Sequence, residues 1–154
     1  MKKLGKIFFT ILIFGLFIVF PVAAQKTKSD FQKMYMDFLK KKGYNPSILE
    51  SGDITFVIYG NGYTIIVNET APQQFNMYAY YPLRSIPRQT LLTAVNKTNF
   101  NTYGAKILIS DNNDFAFIVV ENLLPKPKDF QVVFDRVISI ILDAVYFLID
   151  ELPK

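Results

Sequence analysis

The residue types available for chemistry are few, because the 154-residue chain contains no histidine and no cysteine. Nucleophilic serine or cysteine sites that rely on an imidazole base are therefore excluded, and so are the usual zinc sites. Gly60-Asn61-Gly62 lacks the Gly-Lys-Ser/Thr ending of a phosphate-binding loop. The chemistry that remains is that of carboxylates, tyrosines and lysines.

Two groups of acidic residues could supply that chemistry. Asp111-Asn112-Asn113-Asp114 lacks the downstream glycine and glutamate of a calcium loop, which favours a plain turn. Asp135 and Asp143 lie on one predicted helix, too far apart to share a proton. We therefore predict no catalytic residue, no metal site and no cofactor. A small cell-envelope enzyme that uses carboxylate, tyrosine or lysine chemistry is the alternative.

The start of the sequence is typical of a secretory signal peptide. Three lysines within the first six residues precede an apolar run from Ile7 to Phe20, and Pro21-Val22-Ala23-Ala24 supplies the small residues of a cleavage site. The run is shorter than the roughly 20 apolar residues of a spanning helix. We predict that residues 1–24 are a signal peptide and that residues 25–154 form one domain. That domain is exported to the periplasm or the outside of a bacterial cell.

The basic character of the chain comes partly from this signal peptide. The chain has 17 lysines and arginines against 13 acidic residues, and three of the lysines leave with residues 1–24. The mature chain is therefore close to neutral, which gives no indication of nucleic-acid binding. The apolar C-terminal segment is interrupted by Asp143, so we predict no stable membrane span after cleavage.

The stretch from Asp53 to Tyr81 alternates with a period of two, which predicts three antiparallel strands. Asn61-Gly62 is a strong hairpin signal, since both central residues of a type I′ turn need positive φ. Placing the turn there pairs Ile58 with Ile65. The alternation then gives the sheet one apolar face and one mixed face.

A second hairpin is predicted from residues 105–111 and 114–122. Asn112-Asn113 is its expected turn, because asparagine tolerates left-handed backbone better than most residues. This turn pairs Ile107 with Ile118. Again one face is apolar and the other is mixed.

Three helices complete the predicted α+β fold, a twisted antiparallel sheet with the order α-β-β-β-β-α-β-β-α. The first helix is capped by Ser29 or Asp30 and ends before Gly43. The second covers roughly residues 88–99. The third runs from Asp129 to about Leu152, and its wide apolar stripe indicates a central place in the core.

Several short sequences at element boundaries carry a resemblance to a known family. They are Gly43-Tyr44 followed by Pro46, Gly52-Asp53-Ile54-Thr55-Phe56, Asn96-Lys97-Thr98-Asn99 and Gly104-Ala105-Lys106-Ile107. The chain resembles the YbjN-like family, described as proposed bacterial sensory transduction regulators and similar in fold to type III secretion chaperones. The resemblance spans roughly residues 30–152. It implies a non-enzymatic role in protein binding or regulation, with no catalytic residues.

The mixed face of the sheet is the predicted partner-binding surface. Its apolar and aromatic residues are Val57, Tyr59, Ile66, Tyr78, Tyr80, Leu108, Phe115 and Phe117. Large exposed apolar patches mark interaction sites, and aromatic residues are favoured in interface cores. The sequence therefore predicts an exported, non-catalytic module whose partner is another polypeptide or a second copy of the chain. The opposing interpretation is that these rings shield a wet face, or that the long helix covers them.

Overall fold

The computed structural model describes residues 27–83 and 86–153. The predicted signal peptide lies outside the described residues. The helices are α1 (Lys28–Lys41), α2 (Arg88–Asn101) and α3 (Phe130–Glu151), with a 3-10 turn at Pro127–Asp129 before α3. The strands are β1 (Ser47–Ile48), β2 (Ile54–Ile58), β3 (Asn61–Ile66), β4 (Gln74–Pro82), β5 (Lys106–Ile109) and β6 (Phe115–Leu123).

The six strands form one antiparallel sheet in the order β1-β2-β3-β4-β6-β5. The predicted α+β class and element order are confirmed. Apolar side chains of the three helices and of alternate strand residues form one buried core. We call the opposite side of the sheet the open face.

Aromatic rings join α1, α3 and the sheet at the centre of the core. The ring of Tyr35 on α1 meets Phe130 of α3 edge-on, with centroids 4.7 Å apart. Phe134, one turn along α3, lies 5.1 Å from Phe38 of α1 and 5.8 Å from Phe56 of β2. The Tyr35–Phe130 and Phe38–Phe134 pairs are edge-to-face, an arrangement that stabilises beyond its buried area. The wide apolar stripe of α3 therefore occupies the central place that the sequence predicts.

The N-terminal cap of α1 differs from the prediction. The cap is Thr27, whose hydroxyl accepts a hydrogen bond from the Asp30 N–H at 3.3 Å. The Asp30 carboxylate accepts in return from the Thr27 N–H at 2.8 Å. This is a reciprocal capping box, in which Asp30 serves as the third helical residue. Ser29, the other predicted cap, is an exposed residue inside the helix.

Replacing the cap offers a direct test of this correction. We expect Thr27→Ala to lower the free energy of unfolding by about 1 kcal/mol, because the first turn loses a hydrogen-bond acceptor. Ser29→Ala is the matched control and should change stability by less than about 0.5 kcal/mol. Urea unfolding followed by circular dichroism measures both. Equal effects of the two changes would contradict Thr27 as the cap.

The first hairpin turns two residues earlier than predicted. Its central residues are Tyr59 and Gly60, with φ of 48° and 81°. Ile58 consequently pairs with Asn61 instead of Ile65, so the predicted pairing was wrong by four residues. Because four is an even number, the strand side chains keep their predicted faces of the sheet, whereas Tyr59 lies in the turn.

Core packing explains the turn that the chain adopts. The observed register places Phe56 opposite Tyr63, and their rings stack with centroids 5.7 Å apart. The predicted register would have left Tyr63 beside the turn, at the end of the hairpin. A tyrosine at positive φ is uncommon and costs about 1 kcal/mol or more. Burial of the Phe56–Tyr63 pair offsets that cost.

The second hairpin has the predicted register, with Ile107 paired to Ile118. Its connection contains Asn113 at φ of 61°, as the preference of asparagine for left-handed backbone predicts. The edge strand β5 is also held from its other side. The Asn99 amide of α2 donates to the Ile107 carbonyl at 3.2 Å and accepts from the Ile107 N–H at 2.8 Å. This pair of bonds occupies edge groups that would otherwise be open to another strand.

Candidate interaction surface

Seven of the eight residues predicted to bind a partner lie on the strands of the open face. They are Val57 on β2, Ile66 on β3, Tyr78 and Tyr80 on β4, Leu108 on β5, and Phe115 and Phe117 on β6. Tyr59 is the eighth, and it projects from the β2–β3 turn with 97% of its surface exposed. The sheet therefore brings seven of these side chains to one face and leaves Tyr59 at its end.

A continuous apolar row crosses this face. Val57 pairs with Gly62, Tyr80 pairs with Phe117, and Phe117 pairs with Leu108. Tyr80 lies close to Gly62 because glycine has no side chain to occupy the space of the Tyr80 ring. A Cβ atom at Gly62 would lie 3.5 Å from the Tyr80 hydroxyl and 3.7 Å from its ring. The Tyr80 ring thus lies over Gly62, and the row runs unbroken from β2 to β5.

The rings of this surface also contact one another diagonally between β4 and β6. Tyr78 meets Phe117 with centroids 6.2 Å apart. Tyr80 meets Phe115 at 5.9 Å and a perpendicular angle of 89°. Aromatic pairs at these separations attract one another, so the rings of β4 and β6 form one connected aromatic surface.

No helix in the described part of the chain covers the apolar row. Val57, Tyr80 and Leu108 are 59%, 53% and 56% exposed. Phe117 and Tyr78 are half-buried. The helices pack against the opposite side, where the alternate strand residues are buried. The interpretation that the long helix covers this face is therefore wrong.

The open face changes from apolar to polar along the strands. Gln74, Asn76 and Glu121 lie at one end, where the Glu121 carboxylate pairs with Lys106 at 2.8 Å. Both partners of this ion pair are largely exposed, so it contributes at most about 1 kcal/mol to stability. The Lys106–Glu121 pair also forms a charged margin beside the apolar row, like the polar rim of many interfaces.

Known protein structures resemble this chain in the arrangement of its sheet and helices. No protein-family model and no curated protein matches the sequence. Among solved structures, YbjN of E. coli, described as a proposed transcription regulator, is similar with a TM-score of 0.58 and 9% identity. The similarity covers 77% of this chain and 88% of that one. The fold of the chain is YbjN-like.

Two further structures share this YbjN-like fold. The HopA1-SchA chaperone–effector complex contains a chain with a TM-score of 0.54 and 12% identity, covering 80% of this chain and 98% of that one. An uncharacterized protein from Methanothermobacter thermautotrophicus is similar with a TM-score of 0.52 and 13% identity. The similarity covers 79% of this chain and 93% of that one. At these identities the similarity is one of fold. It confirms the predicted likeness to both YbjN and a secretion chaperone at that level.

The acidic side chains that line cavities of this protein lie in four separate places. Four surface cavities of about 200 to 550 Å³ are each lined by one acidic side chain, respectively Asp150, Glu121, Asp37 and Asp143. None of these four cavities holds two carboxylates that could act together as general acid and base on one substrate. Within residues 27–83 and 86–153, no group of three or more His, Cys, Asp or Glu side chains could hold a metal ion.

The described helices include none that is both long and apolar enough to cross a membrane. This holds for α3 despite its many apolar residues. Asp135, Asp143 and Asp150 recur along that helix, as a helix with one polar edge requires.

Two core tyrosines titrate abnormally. Burial raises the pKa of the Tyr35 phenol from 10.0 to about 12. Burial also raises the pKa of Tyr63, with smaller contributions from Tyr146 and Tyr44. Both phenols lie in the core beneath the helices and away from the open face, so these shifts bear on stability.

A pH dependence follows from Tyr35. Between pH 10 and about 12 the folded protein keeps the Tyr35 proton while the unfolded chain loses it. The free energy of unfolding is unaffected by this group below pH 10 and then falls by about 1.4 kcal/mol per pH unit. Tyr35→Phe should remove the part of the slope that Tyr35 causes and leave the part that the raised pKa of Tyr63 causes, measured by urea unfolding at intervals above pH 10. Tyr103→Phe, at an exposed tyrosine, is the control, and identical slopes for all three proteins would contradict the prediction.

Sequence reasoning missed two residues of the apolar surface. Gly62 was assigned to the turn, yet it lies in β3 and makes room for the Tyr80 ring. Val119 of β6 pairs with Tyr78 and shares the open face. The predicted register also places Val119 on the mixed face, opposite Lys106, but the predicted partner-binding residues do not include it.

Proposed function

We propose that this protein is an exported, non-catalytic protein-binding or regulatory module, and that it holds another polypeptide against its open face. The observation that carries the proposal is the apolar row from Val57 to Leu108, which is exposed and continuous across five strands. Exposed aromatic and aliphatic side chains in one contiguous patch are the usual sign of an interaction surface.

The dimensions of the face suit a polypeptide partner. Five strands spaced about 4.8 Å apart give a row about 20 Å across. This length accommodates several residues of an extended chain or one side of a helix. Exposed tyrosine and phenylalanine rings offer large contact area at a small cost in conformational entropy. Lys106 and Glu121 form a charged margin beside the apolar row. A partner that placed apolar groups on this margin would bind less well, so the margin favours one position of the partner on the face.

The comparisons support this kind of role. One structure with the same fold belongs to a chaperone–effector complex, and another is described as a proposed transcription regulator. A module that binds another polypeptide is compatible with both descriptions. The four cavities, each with a single carboxylate, add no support for an enzyme that uses a pair of carboxylates.

Export is the second part of the proposal, and its support is the pattern of lysines, apolar run and small residues before Gln25. Expression of the full chain in a bacterium, followed by fractionation and mass measurement, tests it. We expect a protein that begins at Gln25 in the periplasm or medium. An uncleaved protein in the cytoplasm or membrane would contradict export while leaving the binding proposal intact.

Binding is tested on residues 25–154 purified without the signal peptide. Analytical ultracentrifugation of the protein alone, and then with cell-envelope extract, should reveal a larger species. A second copy of the chain is one outcome, and it appears as a dimer in the absence of extract. A monomer that retains no polypeptide under either condition would contradict the proposal.

A further inference from the structure

A small cavity on the helix layer lies where the end of α2 meets the middle of α3. Its volume is about 200 Å³, below the range of about 300 to 1,000 Å³ that is usual for drug-sized ligands. Its lining residues are Asn101, Thr102, Tyr103, Ile140, Asp143 and Phe147. The open face and its proposed partner do not account for this cavity.

The backbone fixes the position of Tyr103 at the cavity. On one side, the Thr102 N–H and hydroxyl both donate to the Thr98 carbonyl at 2.9 and 2.8 Å, which ends α2. On the other side, Gly104 has a φ of 85°, and a Cβ there would lie 3.6 Å from Ile140 of α3. Glycine adopts this φ without strain. Tyr103 is therefore held between two constrained residues, although its side chain is 92% exposed.

The remaining wall comes from one stripe of α3. Ile140, Asp143 and Phe147 are spaced by three and four residues, so they share a helix face. Ile140 is half-buried, whereas Phe147 is 46% exposed. An exposed phenylalanine and an exposed tyrosine thus border one cavity. Neither ring is buried by the described part of the chain.

Asp143 supplies the charge of the cavity. The salt bridges in residues 27–83 and 86–153 involve Asp135, Glu121 and Glu151, so no lysine or arginine there pairs with Asp143. Arg136 lies two turns earlier on the same stripe, about 10 Å along the axis. Helical side chains lean toward the N-terminus, which directs Arg136 away from Asp143.

We propose that this cavity binds an organic ammonium group, carried either by a lysine side chain of a polypeptide or by a small quaternary amine. The rings of Tyr103 and Phe147 border the cavity, and aromatic rings attract a cation through their quadrupoles. The Asp143 carboxylate adds a full negative charge and disfavours anions. A neutral apolar ligand would desolvate Asp143 without compensation. The small volume selects a compact head group.

The test is an NMR titration of isotope-labelled residues 25–154 with choline chloride at constant ionic strength. We expect saturable shifts at Tyr103, Asp143 and Phe147. The neutral isostere 3,3-dimethyl-1-butanol should bind at least about threefold more weakly, because it lacks the charge. Nα-acetyl-lysine amide distinguishes the two sources. Tighter binding of that compound than of choline assigns the site to a polypeptide, and the reverse assigns it to a small amine.

Variants locate the binding at this cavity. Tyr103→Leu and Asp143→Asn should each weaken choline binding by about threefold or more. Tyr146→Leu replaces an exposed tyrosine of α3 that does not line the cavity, and it should leave the affinity unchanged. The proposal is overturned if no lining residue shifts, if the neutral isostere binds as tightly as choline, or if both cavity variants bind choline as well as the unaltered protein.

Discussion

Replacing Tyr80 and Leu108 together with serine is expected to abolish partner binding by the mature protein. Both side chains belong to the apolar row, and both are more than half exposed. Residues at the centre of an interface commonly contribute 1 to 2 kcal/mol or more each. Loss of the pair should cost about 3 kcal/mol of binding free energy, which is about a hundredfold in affinity. Ultracentrifugation or surface plasmon resonance with the isolated partner measures the change.

A matched variant separates this effect from a general loss of apolar surface. Tyr146 on α3 and Leu92 on α2 are also exposed, so their double replacement by serine removes the same residue types away from the open face. We expect it to bind the partner normally. Both double variants should unfold within about 1 to 2 kcal/mol of the original protein, since exposed side chains contribute little to stability. Equal loss of binding in both would contradict the apolar row as the site.

The second large effect is expected in the core, at Phe134. Its ring contacts Phe38 of α1 and Phe56 of β2 and is fully buried. Phe134→Ala removes the group that joins two helices to the sheet and leaves a cavity. Such changes cost about 3 to 5 kcal/mol, a large part of the 5 to 15 kcal/mol that stabilises a typical domain. Urea unfolding gives the free energy directly.

Val132→Ala is the control for that change. Val132 lies two residues earlier on the same helix but is exposed, so its truncation should change stability by less than about 0.5 kcal/mol. A loss below about 1 kcal/mol for Phe134→Ala would mean that α3 does not occupy the centre of the core. Loss of partner binding by a folded Val132→Ala protein would instead point to the helix layer as the interface.

Local patterns of the sequence account for much of the fold. The apolar stripe of α3 repeats over six turns, and only a central helix satisfies such a long pattern. The second hairpin has one plausible turn, at Asn112-Asn113, and its pairing was predicted correctly. The end of α1 at Gly43 also follows from local chemistry, because φ there is 85°.

The first hairpin was harder to predict because two adjacent turns are possible. Both Asn61-Gly62 and Tyr59-Gly60 contain a glycine suited to positive φ, and asparagine has the stronger preference. The stacking of Phe56 on Tyr63 decided between them. That contact joins two strands, so its energy does not appear in any local window of sequence.

Local sequence patterns also could not predict that the residues of the apolar row lie next to one another. Tyr80 and Phe117 are paired because β4 lies beside β6, and these strands are separated in sequence by α2 and β5. Alternation predicts which way each side chain points, whereas strand order determines its neighbours. The cavity at Tyr103 and Phe147 depends in the same way on the packing of α2 against α3.

Site-specific photocrosslinking tests the central claim most directly, because it reports what touches the open face in the cell. The photoreactive amino acid p-benzoylphenylalanine is placed at Leu108 in one protein and at Val132 in another, both exposed positions. Irradiation should attach a polypeptide, either another protein or a second copy, to the Leu108 position and leave the Val132 position free. Crosslinks from Val132 with none from Leu108, or none from either, would contradict the account.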